Sequence, residues 1–420
     1  MGQIRFSCYN LEYEKREGNS MLIGIIGGGP AGIMAALQIK NHKLIMFERN
    51  DRIGKKLLAT GNGRCNYTNV DIKAKHYHGE QEGFVEPALE YFDNEALIEY
   101  FKKEAALSSL ELERGKIYPR TLKASTLLNI FLRLLEKKGV EIKTDHYLKQ
   151  IKRKGKGFLL FFKDREPYYV DRVVFACGGM SMPQSGSDGN GYKILKDFGH
   201  RVTDCFPGLV QIKLDCPYLK HISGTKVQGR VRLLANENLL AEKEGDLLFT
   251  DYGISGPPIL DISRKVGERI LKEKLKIEMP LINNLDDKTL ELLRNSLDSN
   301  RFNLDEILEA FIDKKFIKLV KETLKKMHFS SKQFNDKIIE TLCKYTFDVV
   351  GLNSFGQSQI TCGGIATEDI DKSNMQSKLV KGLYVIGEVL DVDGDCGGYN
   401  IQWAFSSAAL AAKSLSEEDI

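Results

Sequence analysis

Residues 22–48 read LIGIIGGGPAGIMAALQIKNHKLIMFE, and this stretch decides the fold. An apolar run over 22–26 breaks into Gly27-x-Gly29-x-x-Gly32. A helical pattern over 30–40 follows, then a second apolar run over 43–47 that ends on Glu48. Strand, glycine turn, helix, strand and an acid about 20 residues past the glycines make the dinucleotide-binding fingerprint. Gly27 permits the tight turn, Gly29 lets backbone approach a pyrophosphate, and Gly32 lets the helix pack on the strands. Free N–H groups at the helix start bind the pyrophosphate anion. Glu48 can accept ribose hydroxyls and would repel a 2′-phosphate, so NADP is not expected here. Alone, the fingerprint leaves NAD and FAD open.

The chain has 420 residues, room for two or three domains. It is 42% hydrophobic and 28% charged, ordinary for a globular protein. A net charge of +4 makes no electrostatic case for nucleic acid. The eight cysteines are scattered and none forms C-x-x-C, which argues against a zinc site, a dithiol motif or a disulfide framework. A reducing cytoplasm fits best. Residues 21–39 are apolar, but their proline and their glycines at fingerprint spacing argue against a membrane span or signal peptide. Residues 1–20 match no fold element and read as an upstream extension, with Met21 just before the first strand.

Farther along, 49–69 reads as a long loop rich in glycine and basic residues. Helices are predicted over 87–103 and 123–138, a strand over 140–144, and a small meander with strands around 158–162 and 168–170. An apolar strand over 172–176 runs into Cys177-Gly178-Gly179, and a helix over 188–198 has Asp188 as its N-cap. Residues 209–279 change to short strands and turns. Residues 286–344 read as four short helices. One of them sets Lys314, Lys318, Lys321 and Lys325 on one face and Phe316, Ile317, Val320, Leu324 and Met327 on the other. A solvated amphipathic face explains that stripe, with a nucleic-acid or membrane contact as the sharper alternative. A strand over 382–386 delivers Gly387-Glu388, and an Ala- and Ser-rich helix spans 397–415.

Gly387-Glu388 is the second glycine–acid site, of the kind that takes a flavin's ribityl chain and phosphate. A strand-end turn with a solvated acid is its plain alternative. Paired with the fingerprint it points to FAD, which is long enough to need both sites. The loop over 52–66, RIGKKLLATGNGRCN, offers Lys55 and Lys56 for the pyrophosphate. Its Gly61 and Gly63 let backbone pass a flat ring, and Arg64 offers charge for a reduced flavin or a substrate. Cys65 has no partner thiol nearby in sequence and reads as structural. His76-x-His78 lacks a third metal ligand, so no metal is expected.

The stretches GIIGGGPAG, KKLLATGNGRCNYTN, FACGGMSMPQSGSDGNGY, LLFTDYGISGPPIL and GEVLDVDGDCGGYNIQWAFSSA stand in one order. Together they resemble the BaiN-like (YhiN-type) bacterial flavoproteins, also labelled NAD(P)/FAD-dependent oxidoreductases or aminoacetone oxidases. The resemblance spans roughly 21–415. It implies an α/β fold, a Rossmann-type FAD-binding domain similar to glutathione reductase, with an inserted β-barrel-like domain and a small helical domain. The expected division is an FAD domain over 21–208 and 361–420, a β-rich insert over 209–282 and 345–360, and a helical insert over 283–344. By motif, Gly27, Gly29, Pro30, Ala31 and Gly32 would meet the pyrophosphate and Glu48 the adenosine ribose. Lys55, Lys56 and Leu57 would open the flavin loop, with Gly61, Gly63 and Arg64 within it and Cys65 and Asn66 closing it. Leu148 falls at the adenine contact, and Ala176, Gly178 and Gly179 join the cofactor-binding set. Gly387, Glu388 and Ile401 would sit by the ribityl chain and ring. Gly398, Tyr399 and Asn400 start a helix aimed at the ring's O2 side.

The expected activity is that of an FAD-dependent oxidoreductase. NADH or NADPH would reduce the flavin transiently, and hydride would pass to a small organic acceptor with an activated C=C or C=O. Arg64 and Tyr252, the latter in LLFTDYGISGPPIL, are the catalytic candidates. An amine oxidase using O2, a tRNA-modifying flavoprotein and a flavin-bound sensor are the alternatives. No membrane partner is expected, and oligomeric state stays open.

Overall fold

A computed structural model describes residues 20–299 and 301–418. The upstream extension expected over 1–20 therefore lies outside the described residues, except for its last position. Two compact units emerge: one from the chain up to Cys205 and from Ile360 onward, the other Phe206–Gln359.

The first unit is built on a five-stranded parallel sheet in the order Leu383–Val385, Arg172–Phe175, Leu22–Ile26, Lys43–Phe47, Glu141–Lys143. Every residue of Leu22–Ile26 is buried. A parallel strand covered on both faces must be apolar throughout, which is why this run does not alternate. Helix Pro30–Gln38 follows with proline in its first turn, where a missing N–H costs nothing. The last helix, Tyr399–Glu417, packs along it. Ala408, Ala409, Ala411 and Ala412 on that last helix are all buried, and such small side chains let two helices approach closely. Among the described residues no helix is long and apolar enough to cross a membrane.

Several local expectations need correction. The helix expected over 87–103 is two, Glu86–Tyr91 and Asn94–Ala105. The break comes at Asp93, whose side chain accepts from Ala96 N and caps the second helix. The loop over 49–69 contains a short helix, Lys55–Ala59. The meander has a third strand, Leu148–Lys154. Asp188 is not the N-cap of the helix Asn190–Lys196; Gly189 is, and the Asp188 carboxylate pairs with Arg49 at 2.6 Å.

The second unit is a closed barrel in the order Ile212–Asp215, Gly253–Ser255, Asn238–Phe249, Lys226–Ala235, Leu275–Met279, Tyr345–Leu352. Its strands are not all short. Lys226–Ala235 and Asn238–Phe249 form a long hairpin turned by Asn236 (φ 46°) and Glu237 (φ 70°). Two left-handed turn residues match the twist of the strands, and Asn tolerates that region. Among the described residues, four α-helices lie between the last two barrel strands, among them Lys314–Lys326. Barrel and helices share one apolar cluster that includes Phe249, Phe316 and Phe347. Two lysines of the stripe already face acids: Lys321 meets Asp305 at 2.6 Å and Lys325 meets Glu322 at 2.8 Å.

Candidate flavin site

The fingerprint turn is shaped by close approaches. Gly27 (φ 109°) faces the Ala176 carbonyl and Gly32 faces the Gly27 carbonyl so tightly that a Cβ at either would overlap the oxygen. Gly29 is different: a Cβ there would meet nothing within 4 Å. No protein atom therefore demands glycine at this position. No side chain caps the helix that begins here. Open space over an uncapped helix N-terminus is what an anion fills, and the residues present fit a pyrophosphate.

Glu48 is buried at the end of its strand. Its Oε2 accepts from Gly28 N at 2.9 Å and its Oε1 from the Asn50 backbone and side chain, each at 2.8 Å. These three donors fix the carboxylate. Gly28, at an x position of the fingerprint, and Asn50 were not singled out in the sequence. Leu148 begins its strand buried, and its carbonyl accepts from Asn190 Nδ2 at 2.9 Å.

The second glycine site touches the first. Gly387 (φ 74°) lies where an added Cβ would come within 2.9 Å of the Ala31 Cβ. Its N–H donates to Ser407 Oγ at 3.1 Å, and its carbonyl accepts from Trp403 Nε1 at 3.2 Å. Glu388 is already engaged by three donors of the protein. Its carboxylate accepts from Lys56 Nζ at 2.5 Å, Ser181 Oγ at 2.9 Å and Thr361 N at 3.0 Å. Lys56 Nζ also reaches Ser181 Oγ at 2.6 Å. Lys55 pairs with Asp51 at 2.6 Å. Neither lysine is thus free for a pyrophosphate in this structure. Ser181 lies within the stretch FACGGMSMPQSGSDGNGY and Thr361 in none of the five, and only the fold brings them to Glu388.

The flavin loop is bent. Gly61, Asn62, Gly63 and Cys65 all take left-handed backbone, a conformation that costs free energy for Asn62 and Cys65 and recurs at functional sites. Leu57 is buried beneath it. Cys65 is buried, and burial pushes its thiol up to about 12, against a hydrogen bond from Thr60. It is a poor nucleophile for redox work. Asn66 Nδ2 donates to the Thr68 and Ile117 carbonyls at 2.8 and 3.0 Å. It also lies 3.0 Å from the Cβ position of Gly398, so the loop touches the start of the last helix. Arg64 is exposed, with its guanidinium carbon 5.6 Å from the Tyr118 ring centre.

The last helix starts uncapped at Gly398 (φ 99°). Asn400 spends its amide on the turn before it, accepting from Gly394 N at 2.8 Å and donating to Gly394 O at 2.7 Å. Ile401 is half-buried against the core. Tyr399 stacks on His76 with ring centres 4.5 Å apart. The His76-x-His78 motif clasps this turn: His76 Nδ1 meets Asp395 at 3.0 Å, His76 Nε2 meets Asp71 at 3.1 Å, and His78 Nε2 meets Asp395 at 2.8 Å. Burial pushes the Asp395 carboxyl up, but His78 and His76 together outweigh it and hold it below its ordinary value. Ala176, Gly178 and Gly179 follow the strand Arg172–Phe175, with Ala176 N donating to Ile26 O at 2.9 Å. Tyr252 belongs to the other unit, in the turn before Gly253–Ser255, where its carbonyl accepts from Leu214 N at 3.2 Å.

A parallel Rossmann sheet, a glycine turn that fits a diphosphate and a distant second glycine turn resting on it are those of a Rossmann-type FAD-binding domain. Residues 21–414 match the HI0933-like protein Rossmann domain, and the chain belongs to that family. The resemblance carried by the five motifs is borne out. The chain is 34% identical to a 3-dehydro-bile acid delta(4,6)-reductase of Clostridium scindens, over 94% of this chain and 99% of that one. It is 29% identical to a ribosomal RNA dihydrouridine synthase of Escherichia coli, over 93% of this chain and 97% of that one. Among solved structures it is similar to a 3-ketosteroid delta1-dehydrogenase from Sterolibacterium denitrificans. That likeness is 11% identity and a TM-score of 0.48, over 95% of this chain and 100% of the other.

Proposed function

We propose that this enzyme takes hydride from NADH or NADPH into FAD and delivers it to a C=C bond conjugated with a carbonyl in a small organic acceptor. The observation that carries the reading is the contact between Gly387 and Ala31, which joins two glycine sites into one extended surface for a long dinucleotide. The two relatives, by their names, share one reaction type, reduction of a carbon–carbon double bond. FAD, when bound, accepts two electrons from a nicotinamide and passes them on as hydride.

The chain's own part is binding and charge placement. N–H groups at the start of Pro30–Gln38 would hold the pyrophosphate, and Glu48, fixed by Gly28 and Asn50, would receive a ribose hydroxyl. Lys56 and Glu388 would hold the flavin loop against the second glycine turn. The uncapped end of Tyr399–Glu417 would supply partial positive charge to the negative charge that gathers on the ring upon reduction. The sequence carries one dinucleotide fingerprint, so the nicotinamide would visit rather than reside.

The test is to purify the protein, record flavin absorbance, reduce it anaerobically with NADH or NADPH, and add acceptors singly. A conjugated steroid enone should reoxidise the flavin without oxygen. Reoxidation only by uracil-containing RNA would move the acceptor to nucleic acid. Reduction only by an amine, with reoxidation only by O2, would make the protein an oxidase. A protein that binds no flavin would overturn the reading altogether.

A further inference from the structure

Adding hydrogen across a conjugated C=C needs a proton as well as a hydride, and the groups at the flavin end of the first unit are nearly all committed. Cys65 is sealed in the core. Both ring nitrogens of His76 face carboxylates, and His78 faces Asp395. Tyr77 donates to the Tyr399 carbonyl at 3.1 Å, and the hydroxyl of Tyr67 is bound to Ser109. Asn400 holds Gly394. A guanidinium such as Arg64 does not give up its proton in proteins.

Tyr118 is not committed in this way. It lies on the strand Lys116–Pro119, which pairs with Thr68–Asn69 at the end of the flavin loop. Its ring edge is 3.5 Å from the Cβ position of Gly61, and the Arg64 guanidinium carbon is 5.6 Å from its ring centre. Its neighbour Ile117 accepts from Asn66 Nδ2 at 3.0 Å. The ring is buried, yet among the described residues its hydroxyl has no hydrogen-bond partner. A phenol packed under a strained loop, beside a cation and with its oxygen uncommitted, is arranged to donate.

We propose that Tyr118 is the proton donor of the reductive reaction, with Arg64 stabilising the phenolate that results. This rests on the reading of the enzyme as a C=C reductase. Reduction adds hydride, supplied by the reduced flavin, to one carbon of the double bond. The electron pair of that bond moves toward the conjugated carbonyl, and the phenolic proton of Tyr118 goes to the other carbon. The acceptor gains a hydride, which carries both electrons, and a proton. The flavin is reoxidised, and the phenolate regains a proton from water. Burial raises the Tyr118 phenol above its ordinary value, while Arg64 pulls it back down. The group therefore carries its proton at neutral pH.

The experiment splits the half-reactions of Tyr118→Phe. Flavin reduction by the nicotinamide should keep the wild-type rate. Reoxidation by the enone should slow by ~100-fold or more, within the range for a positioned general acid, and should lose its solvent isotope effect. Equal reoxidation rates and isotope effects in wild type and Y118F would overturn the proposal while leaving the reductase reading intact. Wild-type flavin that no conjugated acceptor reoxidises would instead overturn the reading. A second measurement needs no flavin: tyrosinate absorbance of the apoprotein, wild type minus Y118F, isolates the Tyr118 titration. Arg64→Met should shift that titration to higher pH, and an unmoved titration would refute the coupling to Arg64.

Discussion

Lys56→Met should loosen the site in a measurable way. The Lys56 and Glu388 side chains are each only 20% exposed and meet at 2.5 Å. Breaking a fully buried ion pair costs about 3–5 kcal/mol, and a surface pair contributes about 0–1. This pair lies between those limits, and Glu388 keeps two neutral donors, Ser181 and the Thr361 amide. We therefore expect a loss of about 2 kcal/mol in the apoprotein, or a drop of roughly 4–8 °C in melting temperature for a unit of this size. The assay is thermal and urea unfolding of flavin-free wild type, Lys56→Met, Glu388→Gln and the double variant. The cycle should return a coupling of about 1–2 kcal/mol between the two residues. An apoprotein melting within about 1 °C of wild type would refute the clasp. A ~100-fold loss of FAD affinity with that unchanged melt would instead return Lys56 to the cofactor-ligand role its motif implies.

The glycines of the fingerprint should separate in the same assays. Gly29→Ala has open space for its Cβ, so the apoprotein should keep its stability within ~0.5 kcal/mol and lose FAD affinity. Gly32→Ala would collide with the Gly27 carbonyl and should destabilise the apoprotein by about 1–3 kcal/mol or more. Asp395, held below its ordinary value in the folded state, contributes stability that is present above the unfolded carboxylate range and lost as pH falls through the lowered folded value. Asp395→Asn should therefore flatten part of the acid-unfolding limb below about pH 4 and leave the alkaline side unchanged, as read by circular dichroism across pH. Cys65, pushed up to about 12, should resist iodoacetamide at pH 8 in the native protein and react once urea unfolds it; labelling of the native thiol would refute its burial.

The fingerprint was legible because local rules settle it. Tight turn, helix start and acid all fall within 27 residues, and each glycine has a nearby steric or electrostatic reason. Gly387-Glu388 was legible as a motif, but the partners of Glu388 were not. Ser181, Thr361 and Lys56 come from three other segments, and no spacing rule connects them. The same holds for Tyr118, an unremarked tyrosine on a four-residue strand until the fold puts it beneath Gly61. The His76-x-His78 pair was visible but read against metal ligands, whereas its partners Asp71 and Asp395 come from both ends of the unit. The split of the 87–103 helix at Asp93 was a local signal, an N-cap followed by a helical run, that the longer periodicity masked.

The parallel sheet is assembled from segments separated by a whole inserted unit: strand Arg172–Phe175 must find Leu383–Val385. Left as a random coil, the intervening chain would make that closure slow and exposed to misassembly. The insert removes the difficulty by joining its own two ends. Asn353 N donates to Gln211 O at 2.9 Å, and Ile212 stands opposite Leu352 in the barrel. Once the barrel has folded, its more than hundred residues connect Cys205 to Ile360 much as a short turn would. During synthesis the sequence of events follows from this. The barrel can close while the last strand and helix are still being made, and the cofactor surface is completed only when the final helix brings Trp403 and Ser407 to Gly387.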